Sequence, residues 1–168
     1  RLFELVRRLA AGGLGVVYRC RDRETGGPVA VKIAPRATSS LRERFLREAE
    51  MLSTIAHPNV VRYLAHGVLD THEPWLAMEW LEGEDLHDRL ERAPLSLGES
   101  IAMARHLASA LAAAHAVGIV HRDVKPANVI LLGGDPARPR LIDFGIARVG
   151  AQNLTSPGGV LGTPGYMA

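Results

Sequence analysis

The pattern of hydrophobic and polar positions changes character at Glu82-Gly83, from short strand-like runs before it to helical runs after it. Residues 2–9 and 15–20 read as two strands around a glycine-rich turn, Ala10-Ala11-Gly12-Gly13-Leu14-Gly15. The second of them, Val16-Val17-Tyr18-Arg19-Cys20, is β-branched and aromatic, as strands favour. Thr25-Gly26-Gly27-Pro28 marks a turn, and Val29-Ala30-Val31-Lys32-Ile33 a third strand, giving an antiparallel meander. A helix is expected next. Ser40-Leu41-Arg42-Glu43 reads as its capping box, Leu41, Phe45, Leu52 and Ile55 fall near one face, and Ala56-His57-Pro58-Asn59 ends it. Two further strands are expected near 60–68 and 75–80.

Beyond Gly83, Leu86 and Leu90 mark a short helix. Ser96-Leu97-Gly98-Glu99 is a second capping box, opening a long alanine-rich helix with Ile101, Leu107, Leu111 and the alanines as its buried stripe and Gly118 as its C-terminal cap. Short strands are expected near 119–121, 129–132 and 139–142. The fold class is therefore α+β. A β-rich lobe with one helix, residues 1–82, is followed at a hinge near 79–83 by a mainly helical lobe, residues 83–168.

Composition narrows the picture only slightly. With 47% hydrophobic and 23% charged residues over 168 positions, the chain suits one globular domain rather than a disordered segment. A formal net charge of +2 is too small to indicate a nucleic-acid surface. Cys20 is the only cysteine, so no internal disulfide can form and a reducing, cytoplasmic setting is expected. No apolar run reaches bilayer-spanning length. Of the 20 basic residues only Lys32 and Lys125 are lysines. Where arginine is otherwise the rule, the two lysines are candidates for chemistry that needs a compact ammonium, with chance as the alternative.

The candidate chemistry lies in two polar segments held by apolar flanks. His121-Arg122-Asp123-Val124-Lys125-Pro126-Ala127-Asn128 sits ahead of the apolar run Val129-Ile130-Leu131-Leu132. An aspartate there can accept a hydroxyl proton, a lysine can neutralise phosphate, and an asparagine can ligate a hard cation through oxygen. Asp143, in Leu141-Ile142-Asp143-Phe144-Gly145, ends an apolar strand and suits magnesium bound to phosphates.

These strings, with Val29-Ala30-Val31-Lys32 upstream, resemble the protein kinase signature set, and the resemblance runs over the whole chain in the right order. The wording of His121 to Asn128, of Asp143-Phe144-Gly145-Ile146-Ala147-Arg148 and of Gly162-Thr163-Pro164-Gly165-Tyr166-Met167-Ala168 looks most like the bacterial members of the eukaryotic-like, or Hanks-type, serine/threonine kinases. The implied fold is two-lobed, with a β-rich N-lobe carrying one regulatory helix and a C-lobe incomplete at the start of the Ala-Pro-Glu motif.

The resemblance implies a role for each matching residue. Lys32 would contact the ATP phosphates and Glu48 would pair with it. Asn128 and Asp143 would hold Mg2+, or Mn2+ in its place, and Asp123 would be the catalytic base. Lys125 would sit by the γ-phosphate, and Thr163 would help hold Asp123 and Lys125. Leu9, Ala10, Gly12, Gly13, Gly15, Val17 and Ala30 would cover the nucleotide from above and Ile130 support it from below. Met78 would be the gatekeeper, with Glu79, Trp80 and Leu81 as the hinge that bonds the adenine. His121, Phe144 and Leu52 would stack in an apolar column. Thr155 and Ser156 lie where activation loops are phosphorylated, with Arg122 as the pairing site for that phosphate.

The glycine loop departs from the family pattern at Ala10, whose methyl restricts the backbone where the first glycine is usual. Two other readings compete with an active kinase that phosphorylates serine and threonine of proteins, itself included. A pseudokinase is supported only by Ala10. A small-molecule phosphotransferase is opposed by Arg122 and by Gly162-Thr163-Pro164-Gly165-Tyr166. The resemblance also admits a homodimer that phosphorylates itself in trans. Both chain ends, Arg1 and Ala168, read as cut, and residues 1–168 alone are expected to be poorly stable or inactive.

Overall fold

The computed structural model describes residues 3–12 and 15–144. In chain order they form β1 (Phe3–Gly12), β2 (Gly15–Asp22), β3 (Pro28–Ile33), α1 (Ser39–Ser53), β4 (Tyr63–Val68), β5 (Pro74–Glu79), β6 (Gly83–Asp85), α2 (Leu86–Arg92), α3 (Leu97–Ala116), β7 (Val129–Leu132) and β8 (Pro139–Leu141). They fall into two compact units. One runs to Thr54 and includes Arg62–Trp80; the other takes Ile55–Val61 and runs from Leu81 to the end of the described chain.

The first unit is a five-stranded sheet of order β1-β2-β3-β5-β4, with every neighbouring pair antiparallel. Alternation along β3 sends Val29 and Val31 to one face, where they pack with Cys20 and Ala77 beneath Phe3, Tyr18, Ile33 and Trp75. Burial there pushes the Cys20 thiol up, so it behaves as a small apolar residue. Ala30 and Lys32 take the opposite face. Gly15 is dictated by geometry: its φ is 114°, and a Cβ built on it would lie 2.2 Å from the Ile33 carbonyl oxygen. Helix α1 packs on β4 and β5 and buries Phe45, Ala49 and Leu52, a spacing that keeps one face inward.

The bounds of α1 differ from the expected ones at both ends. Its cap is Thr38, extended at φ −60° and ψ 161° and making no side-chain cap bond, so Ser40 lies inside the first turn and forms no capping box with Glu43. The helix stops at Ser53, well before Pro58. The Ser53 and Thr54 hydroxyls donate to the carbonyls of Glu50 and Met51 at 2.6 and 2.7 Å, which closes the last turn locally.

In the second unit, α3 is capped as expected. Ser96 Oγ accepts from Glu99 N–H at 3.3 Å while Glu99 Oε2 accepts from Ser96 N–H at 2.7 Å. At the far end Gly118, at φ 78°, donates to the His115 carbonyl (2.9 Å) and Ile119 donates to that of Ala114 (3.0 Å), the bond pair of a Schellman motif. The buried stripe is Met103, Ala110 and Ala114 rather than one through Ile101, which is 54% exposed beside Leu97 at 78%. Ile101 stands two residues before Met103, about 200° around the helix.

Residues 119–121 form no strand: the Ile119 N–H is spent on the helix cap and the His121 ring on a carbonyl described below. The three-stranded antiparallel sheet β6-β7-β8 includes a strand the apolar pattern did not signal, since Gly83-Glu84-Asp85 has no hydrophobic member. Residues 55–61 run beside β8, with a parallel bridge of Val60 to Leu141. Leu141 N–H donates to Asn59 O (2.8 Å), and Val61 N–H to Leu141 O (3.0 Å).

Candidate active site

Sheet register assembles the first set of residues. Val17 and Leu76 stand opposite Lys32 on the neighbouring strands, and Met78 stands opposite Ala30. Directly opposed residues share a face, so Val17, Ala30, Lys32 and Met78 line the face turned away from the Val29–Val31 core. Lys32 and Met78 are both buried there. Ala10 pairs with Val17 inside β1. Among the described residues the non-glycine positions with positive φ are His72, Arg122 and Asp143, so Ala10 takes an ordinary strand conformation that does not require glycine.

Leu9, 39% exposed, sits at the irregularity between Arg8 and Ala10, and Gly12 pairs with Gly15. Gly13 lies outside the described residues. Glu79 ends β5 with its N–H donating to Arg62 O (2.9 Å) and its Oε1 accepting from Arg62 N–H (2.9 Å). The Trp80 ring lies under the Arg19 guanidinium at 4.9 Å. Glu48 is half-buried on α1, and its Oε1 accepts from Arg44 Nε–H at 3.0 Å, one turn earlier, where the expectation puts Lys32. Leu52 is fully buried in the same helix.

The second set belongs to the other unit and is built around His121. Its Nε2–H donates to Ile142 O (2.9 Å), and its Nδ1 accepts from Asp123 N–H (3.3 Å). That pattern needs the neutral ring protonated on Nε2. Burial of the imidazole, 1% exposed, holds its pKa below the usual histidine value, against the opposing pull of the Ile142 carbonyl and of the Asp143 and Asp123 carboxylates. The ring also packs on Phe144 with centroids 4.6 Å apart.

Asp123, itself buried, is gripped from two sides. Lys125 Nζ lies 3.1 Å from its Oδ2, and Asn128 Nδ2 donates to its carbonyl (2.8 Å) and to Oδ2 (3.2 Å). Asn128 is placed by a single 3₁₀ turn, Pro126–Asn128. With its amide nitrogen spent on Asp123, its oxygen is left for a hard cation. The Asn128 carbonyl accepts from Ile142 N–H (2.9 Å), which brings Asp143, at φ 60°, beside the loop. Ile130 is half-buried, on the opposite side of β7 from the buried Val129 and Leu131. Chemically this is a carboxylate beside an ammonium, flanked by further oxygen donors. Among the described residues no three or more His, Cys, Asp or Glu cluster as a metal cage. A magnesium ion held by one or two protein oxygens and by phosphates needs none. Thr155, Ser156 and Thr163 lie outside the described residues.

Sequence reasoning overlooked the frame behind this loop. Asn59 Nδ2 donates to Pro139 O (2.9 Å), its Oδ1 accepts from His106 Nδ1–H (3.2 Å), and its N–H donates to His57 Nδ1 (3.1 Å). His57 Nε2–H in turn donates to Ser109 Oγ (3.0 Å). The string His57-Pro58-Asn59 reads as a helix terminator; the signal for more was a polar pair beside the apolar Val60-Val61.

Residues 3–168 match the family model for the protein kinase domain. The chain is 41% identical over 99% of its length to serine/threonine-protein kinase pkn2 of Myxococcus xanthus, 38% over 99% to PknJ of Mycobacterium tuberculosis, and 40% over 95% to PkaA of Streptomyces coelicolor. It spans 21%, 29% and 32% of the lengths of these relatives. Its fold is similar to that of Rad53 1-466, solved in complex with AMP-PNP, with a TM-score of 0.76 and 29% identity over 86% of this chain and 38% of that one. The chain belongs to the protein kinase domain family.

Proposed function

We propose that this chain carries the ATP-binding and phosphoryl-transfer residues of a serine/threonine protein kinase. The observation that carries the reading is the Asp123 carboxylate held between Lys125 Nζ and the Asn128 amide. In the transfer, a serine or threonine hydroxyl oxygen of a protein bonds to the γ-phosphorus as the bond to the β,γ-bridging oxygen breaks and ADP leaves. The hydroxyl proton passes to Asp123. Lys125 both orients that carboxylate and offsets charge on the moving phosphoryl group. Magnesium, when bound, neutralises phosphate charge; Asn128 and Asp143 are its protein oxygen donors, and their chemistry fits the ion. Lys32 serves the α- and β-phosphates, with Glu48 as its partner. The family resemblance assigns Val17, Ala30, Met78 and Ile130 to the adenine, and Glu79 and Leu81 to its hinge bonds. The AMP-PNP complex of Rad53 supports nucleotide binding here.

Thr163 is assigned to the substrate-hydroxyl side and Thr155 and Ser156 to regulatory phosphorylation, in a cytoplasmic kinase whose autophosphorylation in trans would use a homodimer. Among the described residues no helix is long and apolar enough to cross a membrane.

The test is transfer of labelled phosphate from Mg-ATP to the full-length protein itself and to a generic basic substrate, beside Asp123→Asn. Label on serine or threonine that disappears in the variant supports the reading. A folded, ATP-binding protein that transfers nothing overturns it in favour of a regulatory nucleotide-binding module.

A further inference from the structure

The carboxylate assigned as the partner of Lys32 is engaged elsewhere. Glu48 and Arg44 are four residues apart on α1, hence on one face, and Arg44 Nε–H donates to Glu48 Oε1 at 3.0 Å. Among the described residues this is the ion pair Glu48 makes. Lys32, meanwhile, is buried in β3, in the same unit.

We propose that Arg44 is a positioning residue that holds Glu48 in a resting state and competes with Lys32 for its carboxylate. The proposal rests on the kinase reading above. Its physical basis is that Arg44 Nε–H holds Glu48 Oε1 at 3.0 Å, so the orientation of the carboxylate and the charge it can offer a second cation are shared with Arg44. The Arg44 side chain is 43% exposed and that of Glu48 20%, so the pair is partly solvated and screened, and it is weak enough to break when Lys32 recruits Glu48. Its order, cation before anion along the helix, is also the less favourable one. Such a pair acts as a brake: it lowers the fraction of molecules whose Glu48 is available, and the apparent affinity for nucleotide falls by that fraction.

The neutral variant Arg44→Gln suits the test because glutamine is about as good a helix former as arginine. Arg44→Lys keeps the cation at the same place. In the full-length protein, the Mg-ATP dissociation constant and the KM and kcat of phosphate transfer are measured for wild type, Arg44→Gln, Arg44→Lys, Glu48→Gln and the double variant Arg44→Gln/Glu48→Gln. Arg44→Gln is expected to lower the dissociation constant and KM about two- to three-fold, the size of an exposed helical ion pair. Arg44→Lys should stay near wild type. In the Glu48→Gln background the Arg44 change should have no effect, because the carboxylate it acts on is gone. In the nucleotide-free protein the Arg44 Nε–H resonance should shift on Glu48→Gln.

Unchanged or weakened nucleotide binding in Arg44→Gln, or an equal effect with and without the Glu48 carboxylate, overturns the proposal. A wild type that binds Mg-ATP but transfers no phosphate sinks the kinase reading instead, while the binding series still reads Arg44.

Discussion

At Asp123, a buried carboxylate is stabilised by one ammonium and one amide donated from within five residues of the chain. Replacing it with asparagine removes the proton acceptor without removing bulk, so transfer should fall by about 10²–10⁴-fold while ATP binding persists. Single-turnover transfer and equilibrium binding separate the two. Gly15 makes the opposite kind of demand, through missing atoms. Gly15→Ala would drive a methyl into the Ile33 carbonyl at a φ of 114°, and should cost about 1–3 kcal/mol or more in urea unfolding. His121 couples the site to pH. Its folded pKa is depressed, chiefly by burial, so the unfolded chain binds the proton more readily. The stability this histidine contributes is complete above its unfolded value, about 6.5, and is lost as pH falls below that toward the depressed one. Urea midpoints should therefore drop on acidification below about pH 6.5, and less steeply in His121→Phe, whose ring can still pack on Phe144.

Among the elements, α3 shows most directly what a sequence can and cannot announce. Its ends were legible because capping is local: Ser96, Glu99 and Gly118 act on groups a turn away. Its inward face was not, because Ile101 and Met103 are equally apolar and only tertiary contact chooses between them. The choice is testable by paired substitution. In residues 1–168, Ala110→Glu should abolish cooperative unfolding, since Ala110 is fully buried, whereas Ile101→Glu should leave the midpoint of thermal unfolding close to wild type. Helix α1 failed at its ends for a related reason. Ser40-Leu41-Arg42-Glu43 satisfies the capping pattern, yet the chain enters the helix at Ser39 from an extended Thr38, and no pattern within the helix reveals the path before it. β6 was invisible because its pairing with β7 is made by backbone, not by hydrophobic side chains.

For the molecule as a whole, the chemistry-bearing residues were far easier to read than the frame that places them. Asp123, Lys125, Asn128 and Asp143 stand out because charged and hydrogen-bonding groups beside apolar strands are costly without purpose. Asn59, His57 and Ser109 look like ordinary polar positions until the fold brings their partners near. Val17, Ala30 and Met78 were legible only through the family pattern, and it is the strand register that puts them on one face with Lys32.

The segment that ends at Asp143 is tied down by peptide groups. Leu141 N–H and O bond residues 59 and 61, and Ile142 N–H bonds Asn128 O. Peptide groups are the same in every residue except proline, so these ties survive an exchange of side chain, while Leu141, which is fully buried, must still stay apolar and of similar size. A change in length is another matter. One residue gained or lost between Leu141 and Asp143 would shift the acid out of phase with every tie behind it, so the spacing here is held by the backbone itself and not by any one side chain.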